Sequence, residues 1–213
     1  LEWNNVPKPI TCKSNFGGCP FRLQGGDVVF LEDTSTFLYS VIVYWGGNGE
    51  YSTSVVAFSS MDGLNWKYLS TIADASSYPS SEEGPNENTL AMLTDGTVIC
   101  VIRLDAGDGP ETHPYKPYYI TKSSDNGKTW STLVSMKTLG SARPKLLQLA
   151  PTGPLLLSGG RARFRNTSDV LLWVNDAGDA GNFVEYSISY HHNLLAQSEW
   201  LYTPNVNSTT YSP

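Results

Sequence analysis

Short apolar runs alternate with clusters of glycine, aspartate, asparagine and proline along the whole chain. The clearest runs are Val28–Leu31, Val41–Tyr44, Val98–Ile102, Leu155–Leu157 and Val170–Val174. Apolar residues at helical spacing are nearly absent, and runs of this length between turn residues are typical of β-strands. The pattern therefore predicts an all-β chain.

A turn sequence recurs between these runs. Residues 60–66 read SMDGLNW, residues 123–130 read SSDNGKTW, and residues 176–183 form a degenerate copy that ends in Phe183 instead of tryptophan. The opening LEWNN resembles the tail of a fourth copy. Repeats spaced by 50 to 65 residues fit the four-stranded blades of a β-propeller. We expect Asp125 to accept backbone N–H groups, Gly127 to take a positive φ and Trp130 to pack between neighbouring sheets.

Composition and charge make some classes of partner less favourable. Of the 213 residues 40% are hydrophobic, which is typical of a globular chain, and the net charge is −6. An acidic balance disfavours nucleic acid or an anionic membrane as the main partner. Metal-ligand spacing is absent around His113, His191 and His192, which we expect to be loop residues. No cofactor or metal is predicted.

Weak signals indicate an exported protein. Asparagine sequons occur at Asn166 and Asn207, and Cys12 and Cys19 lie close together in a glycine- and proline-rich stretch. We expect these two cysteines to form a disulfide, as cysteines do in oxidising compartments. Cys100, inside an apolar run, is expected to be a buried thiol. The protein is thus predicted to be secreted or to face the outside of the cell.

The SxDxGxTW turn resembles the Asp box of the sialidase (neuraminidase) propellers, and the order of the surrounding segments strengthens the resemblance. Residues 84–105, GPNENTLAMLTDGTVICVIRLD, resemble the sialidase segment in which a glutamate opens an inner strand and an arginine closes the next. Residues 155–176 and the terminal TTYSP resemble segments that carry a further arginine and a nucleophilic tyrosine. The resemblance implies a six-bladed β-propeller of sialidase type, of which residues 1–213 would form about three and a half blades.

The resemblance also implies a set of site residues. Tyr211 would be the nucleophile, Glu87 the base that takes its proton, and Arg103 and Arg165 the ligands of a substrate carboxylate, with Arg163 as the alternative to Arg165. Arginine suits this task because its planar guanidinium binds a carboxylate through two parallel hydrogen bonds. A neutral tyrosine avoids the repulsion that this carboxylate would exert on an acidic nucleophile.

The activity that the resemblance implies is hydrolysis of terminal sialic acid from glycoproteins, glycolipids and oligosaccharides, with retention. Sialyl transfer would use the same residues, and a non-catalytic propeller that binds glycans is the alternative from another class. The family's first arginine, in an FRIP-like motif, and its acid/base aspartate belong to earlier blades than those matched here. We therefore interpret Arg22, in Phe21-Arg22-Leu23, as an ordinary blade residue.

Overall fold

The computed structural model describes residues 23–45, 52–78, 81, 84–104, 116–150, 152–160 and 170–195. They form three four-stranded antiparallel sheets in which the strand order follows the sequence. The first sheet contains β1 (Leu23–Leu31), β2 (Thr36–Trp45), β3 (Ser52–Ser60) and β4 (Lys67–Ala73). The second contains β5 (Pro85–Met92), β6 (Val98–Leu104), β7 (Tyr118–Ser123) and β8 (Val134–Ser135). The third contains β9 (Ala142–Gln148), β10 (Leu155–Gly160), β11 (Leu171–Asn175) and β12 (Val184–Ser187).

The three sheets are arranged as successive blades of a propeller. Each is an up-and-down meander, and the first strands of the three sheets, β1, β5 and β9, lie next to one another. This arrangement confirms the all-β prediction and is that of a partial β-propeller.

Strand β6 shows why its apolar run is continuous. Val98, Cys100 and Ile102 pack with residues of the first sheet, while Ile99 and Val101 pack with residues of the third. All five are fully buried. Since successive side chains of a strand point to opposite faces, a strand between two blades must be apolar on both. The predicted buried thiol of Cys100 is confirmed, and burial raises its pKa.

The repeated turns lie at one end of the sheets, and the two complete copies are held by their aspartates. Asp125 accepts from the Thr129 backbone N–H at 2.9 Å, and Gly127 has a φ of 83°. Trp130 packs on the core between the first and second sheets, and its Nε1 donates to Ser70 Oγ of β4 at 3.0 Å. The predicted roles of Asp125, Gly127 and Trp130 are confirmed.

The degenerate turn uses a different side chain for the same purpose. Asn175, the last residue of β11, accepts through Oδ1 from the backbone N–H groups of Asp179 and Ala180 at 2.8 and 3.0 Å. Its Nδ2 donates to the carbonyl oxygen of Asn182 at 2.7 Å. Phe183 packs against core residues of the second and third sheets, among them Ile99 and Leu155. An asparagine amide thus closes the turn, and Phe183 occupies the place between blades that Trp130 has one sheet earlier.

The first strand of every sheet is irregular near the opposite end. In β1, residues 26–27 stand opposite Ser40 alone; in β5, residues 86–87 stand opposite Arg103; in β9, residues 143–144 stand opposite Gly159. Two residues facing one is the definition of a β-bulge, which re-aims the side chains that it contains. The second bulge residue is Asp27 in the first blade, Glu87 in the second and Pro144 in the third, and Arg143 stands one position earlier.

One prediction about local structure was wrong. His191 and His192 lie in α1 (Ile188–Leu195), not in a loop. Ser187 Oγ accepts from the Tyr190 backbone N–H at 3.0 Å, as an N-cap side chain does at the third residue of a helix. The helix is short, so its apolar spacing is too brief to be recognised, and the capping serine was the available signal.

Candidate active site

Glu87 and Arg103 form an ion pair at the bulge of the second sheet. The Arg103 Nη1 atom lies 2.5 Å from Glu87 Oε2, and the two side chains are 11% and 21% exposed. Antiparallel pairing of β5 with β6 aligns the start of one strand with the end of the other, so residues 16 apart in sequence meet. The structure thus brings two predicted site residues into contact, and the roles assigned to them stay predictions.

A second blade contributes to the same carboxylate. The Arg143 backbone N–H donates to Glu87 Oε2 at 2.7 Å, and Arg143 Nε lies 3.8 Å from Glu87 Oε1. Arg143 has a φ of 51°, in the left-handed region. Among the described residues, the hydrogen bonds to the Glu87 side chain fall on Oε2. Oε1 accepts no hydrogen bond from the described residues.

Tyr118 lies beside the Glu87–Arg103 pair and is too deeply buried to act as a nucleophile. It is fully buried, faces Arg103 across the β6–β7 pairing, and packs edge-on against Trp173 with ring centroids 5.9 Å apart. Its hydroxyl donates to the Ala142 carbonyl oxygen at 3.4 Å. Burial is the main cause of its raised pKa. Tyr118 therefore stays a neutral phenol that joins the second blade to the start of β9.

A polar group next to the site links all three blades. Asp27 of β1 accepts a hydrogen bond from the Thr89 hydroxyl and forms an ion pair with Lys145. Thr89 Oγ1 in turn accepts from the Leu146 backbone N–H at 2.9 Å. Thr89 and Lys145 lie two residues along their strands from Glu87 and Arg143. This group fixes the relative positions of β1, β5 and β9 beneath the Glu87–Arg103 pair.

The carboxylates of the repeated turns have different surroundings. Asp62 accepts from the backbone N–H groups of Leu64 and Asn65, and these bonds lower its pKa. Hydrogen bonds from Thr129 are the main cause of the pKa of Asp125 falling to about 2. Each of these two aspartates bonds only within its own turn in the contacts described. They hold the fold and lie at the end of the sheets opposite Glu87.

Several predicted residues lie outside the described residues. These are Tyr211, Arg165 with its alternative Arg163, Arg22, His113, the pair Cys12 and Cys19, and the sequon residues Asn166 and Asn207. Their assignments stay predictions. The strands that flank the segment with Arg165 and Arg163 are described: β10 ends at Gly160, which pairs with Ala142 beside Arg143, so this strand ends at the same face as Glu87 and Arg103.

The sequence reasoning missed Arg143, Asp27 and Lys145. The signal was a positional one: each bulge lies just before the apolar part of a first strand, in GGDVV, PNENT and ARPKL. Aligning the blades at these segments places Asp27 and Glu87 at one position of the bulge and Arg143 at the position before it. Within the described ranges, no group of three or more histidine, cysteine, aspartate or glutamate side chains could hold a metal ion, and no helix is long and apolar enough to cross a membrane.

The three-bladed arrangement, with a glutamate–arginine pair at one end and aspartate turns at the other, is a sialidase-like β-propeller fold. Solved structures match it with low sequence identity. A Dyadobacter fermentans protein of unknown function is 23% identical with a TM-score of 0.57, over 76% of this chain and 41% of its own. The Hadza microbial sialidase Hz136 is 15% identical with a TM-score of 0.52, over 78% of this chain and 30% of its own.

A mutant of the NanB sialidase from Streptococcus pneumoniae is 9% identical with a TM-score of 0.51, over 78% of this chain and 44% of its own. The present chain thus spans less than half the length of these structures. No protein-family model and no curated protein matches the sequence. At these identities the matches establish the fold, and activity has to be argued from the site.

Proposed function

We propose that this chain is part of an exo-α-sialidase that hydrolyses terminal sialic acid from glycoconjugates with retention. The observation that carries the proposal is the Glu87–Arg103 ion pair on the propeller face opposite the aspartate turns. In this pair, Glu87 would be the base that activates a tyrosine nucleophile, and Arg103 would be the cation that binds the sugar carboxylate. Fold alone supports many functions, so the argument depends on this pair.

The geometry of Glu87 suits a general base. Its Oε2 atom is held by Arg103 Nη1 and by the Arg143 backbone N–H, which fixes the carboxylate plane and leaves Oε1 for another partner. A phenol has a pKa near 10 and attacks slowly at neutral pH unless an adjacent base removes its proton. Glu87 would take the Tyr211 proton while the phenolic oxygen bonds to the anomeric carbon and the glycosidic oxygen leaves with a proton from the acid group. Water then cleaves the tyrosyl intermediate.

Arg103 would bind the carboxylate on the anomeric carbon. Its guanidinium has five N–H donors and uses one nitrogen on Glu87, so donors remain for a ligand. The ion pair restricts the rotamers of a side chain that is only 11% exposed. A guanidinium that is already oriented loses less conformational freedom when the substrate binds. Arg165 would supply a second cation from the third blade.

The proposal is tested by assaying the full-length protein and its Glu87→Gln variant on a fluorogenic sialoside. We expect turnover by the wild type and a loss of about 10²- to 10⁴-fold in kcat for the variant, because glutamine keeps the shape but cannot accept the proton. The matched control is Asp62→Asn, a carboxylate-to-amide change at the opposite end of the sheets, which should leave kcat unchanged.

A second measurement separates catalysis from binding alone. A fluorinated sialyl donor that accumulates the covalent intermediate should label Tyr211, as peptide mass spectrometry would show, and product NMR should find the retained anomer. Sialoglycan binding without turnover by the wild type would instead identify a glycan-binding propeller. Turnover unaffected by Glu87→Gln would remove Glu87 from the mechanism.

A further inference from the structure

Arg143 is held in an unusual backbone conformation beside Glu87. It is the first residue of the β9 bulge, its φ is 51°, and Pro144 follows it. Residues other than glycine adopt the left-handed region rarely, and such positions concentrate at functional sites. The conformation directs the backbone N–H of Arg143 to Glu87 Oε2 at 2.7 Å. The backbone alone would satisfy this contact with any residue except proline.

The side chain of Arg143 adds a positive charge beside Glu87. It is 73% exposed, and its Nε lies 3.8 Å from Glu87 Oε1, beyond hydrogen-bond distance. Glu87 already has a charge-assisted bond at 2.5 Å from Arg103. The three side chains together carry two positive charges and one negative charge. These three side chains therefore have an excess of one positive charge, in a chain whose net charge is −6.

The first bulge residue of each of the other two blades carries no charge. Gly26 and Asn86 stand where Arg143 stands in β9. A Cβ atom on Gly26 would lie 2.9 Å from the Ser40 carbonyl oxygen, so β1 has no room for a side chain there. The bulge thus tolerates glycine or a neutral residue, and arginine is a particular choice of the third blade.

We propose that Arg143 is a further substrate-binding residue whose guanidinium binds the carboxylate of an anionic sugar together with Arg103. This inference rests on the proposed function and names a residue that it does not include. Arg103, 11% exposed and bonded to Glu87, provides the fixed contact, and the exposed Arg143 closes on the ligand from the adjacent blade. A guanidinium can bind a carboxylate through two parallel hydrogen bonds, which a lysine ammonium cannot do.

The test uses the full-length protein with Arg143→Gly, Arg143→Lys and Arg143→Ala. Calorimetry measures binding of sialic acid and of its methyl ester, which lacks the negative charge. We expect Arg143→Gly and Arg143→Ala to weaken binding of the acid roughly 10- to 150-fold and binding of the ester little, since a hydrogen bond to a charged group is lost. Arg143→Lys should recover only part of the loss. In the sialoside assay, KM should rise more than kcat falls.

Controls distinguish the outcomes. Arg143→Gly keeps the backbone N–H and suits a positive φ, so its thermal midpoint should equal or exceed that of the wild type. Lys128→Ala removes an exposed cation at the opposite end of the sheets and should not change binding.

The possible outcomes separate the inference from the proposed function. Equal affinity of wild type and Arg143→Gly for the acid would overturn the inference, while sialoside turnover would still support the proposed function. If the wild type binds the acid but not the ester, loses this binding in Arg143→Gly and shows no turnover, the inference holds and the proposed enzymatic activity is rejected. A wild type with neither activity would reject both.

Discussion

The two ends of the sheets use carboxylates in opposite ways. At the turn end, Asp62 and Asp125 accept hydrogen bonds from residues two to four positions away, and each stabilises its own hairpin. At the other end, Glu87 accepts from Arg103, 16 residues away, and from Arg143, 56 residues away in the next blade. The comparison teaches that a repeated carboxylate with local partners indicates architecture, whereas a carboxylate held by separate blades indicates a site.

The largest effect on stability is expected at the turn end. Trp130→Ala removes a ring that packs between the first and second sheets and an indole N–H that donates to Ser70 Oγ. It should lower the free energy of unfolding by about 3 kcal/mol, measured by denaturant titration. Trp130→Phe keeps most of the packing and should cost about 1 kcal/mol. Sialoside KM of the folded variants should not change. A loss below about 1 kcal/mol for Trp130→Ala would show that this turn does not join the blades.

The largest effect on recognition is expected at the other end. Arg103→Lys keeps the charge but removes the planar fork of donors, so kcat/KM should fall roughly 10- to 150-fold. Stability should change far less than kcat/KM, as denaturant titration of the same variant would show. The matched control, Lys122→Arg, exchanges the same two side chains at an exposed position near the turn end. Unchanged kinetics for Arg103→Lys would place this arginine outside the binding site.

The smallest effect concerns pH. The pKa of Asp125 is about 2 in the folded protein, below the ordinary value of 3.8. Its contribution to stability is therefore complete above the unfolded pKa and is lost as the pH falls towards 2. Asp125→Asn should remove this dependence, by about 1 kcal/mol or less since the group is exposed to solvent. Unfolding curves between pH 5 and pH 2 measure it. Parallel pH profiles of wild type and variant would contradict the assigned role.

The same comparison explains how much the sequence could predict. Each turn is formed by consecutive residues, so the roles of Asp125, Gly127 and Trp130 could be assigned from SSDNGKTW alone. The Glu87–Arg103 contact follows from a hairpin between two adjacent strands and could also be reached. The contact of Arg143 with Glu87 joins two blades, and its geometry depends on a bulge that becomes apparent only when the first strands of the three sheets are aligned. The helix with His191 was missed because its only signal was one capping serine.

The most direct test of the central claim is a crystal structure of the full-length protein with an unsaturated sialic acid analogue, whose flattened ring resembles the transition state. The account predicts that the ligand carboxylate lies about 3 Å from the guanidinium of Arg103, on the face where the bulges of β1, β5 and β9 meet. The Glu87 Oε1 atom should face a tyrosine hydroxyl beneath the anomeric carbon. A ligand bound at the turn end, or one whose carboxylate makes no contact with Arg103, would contradict it.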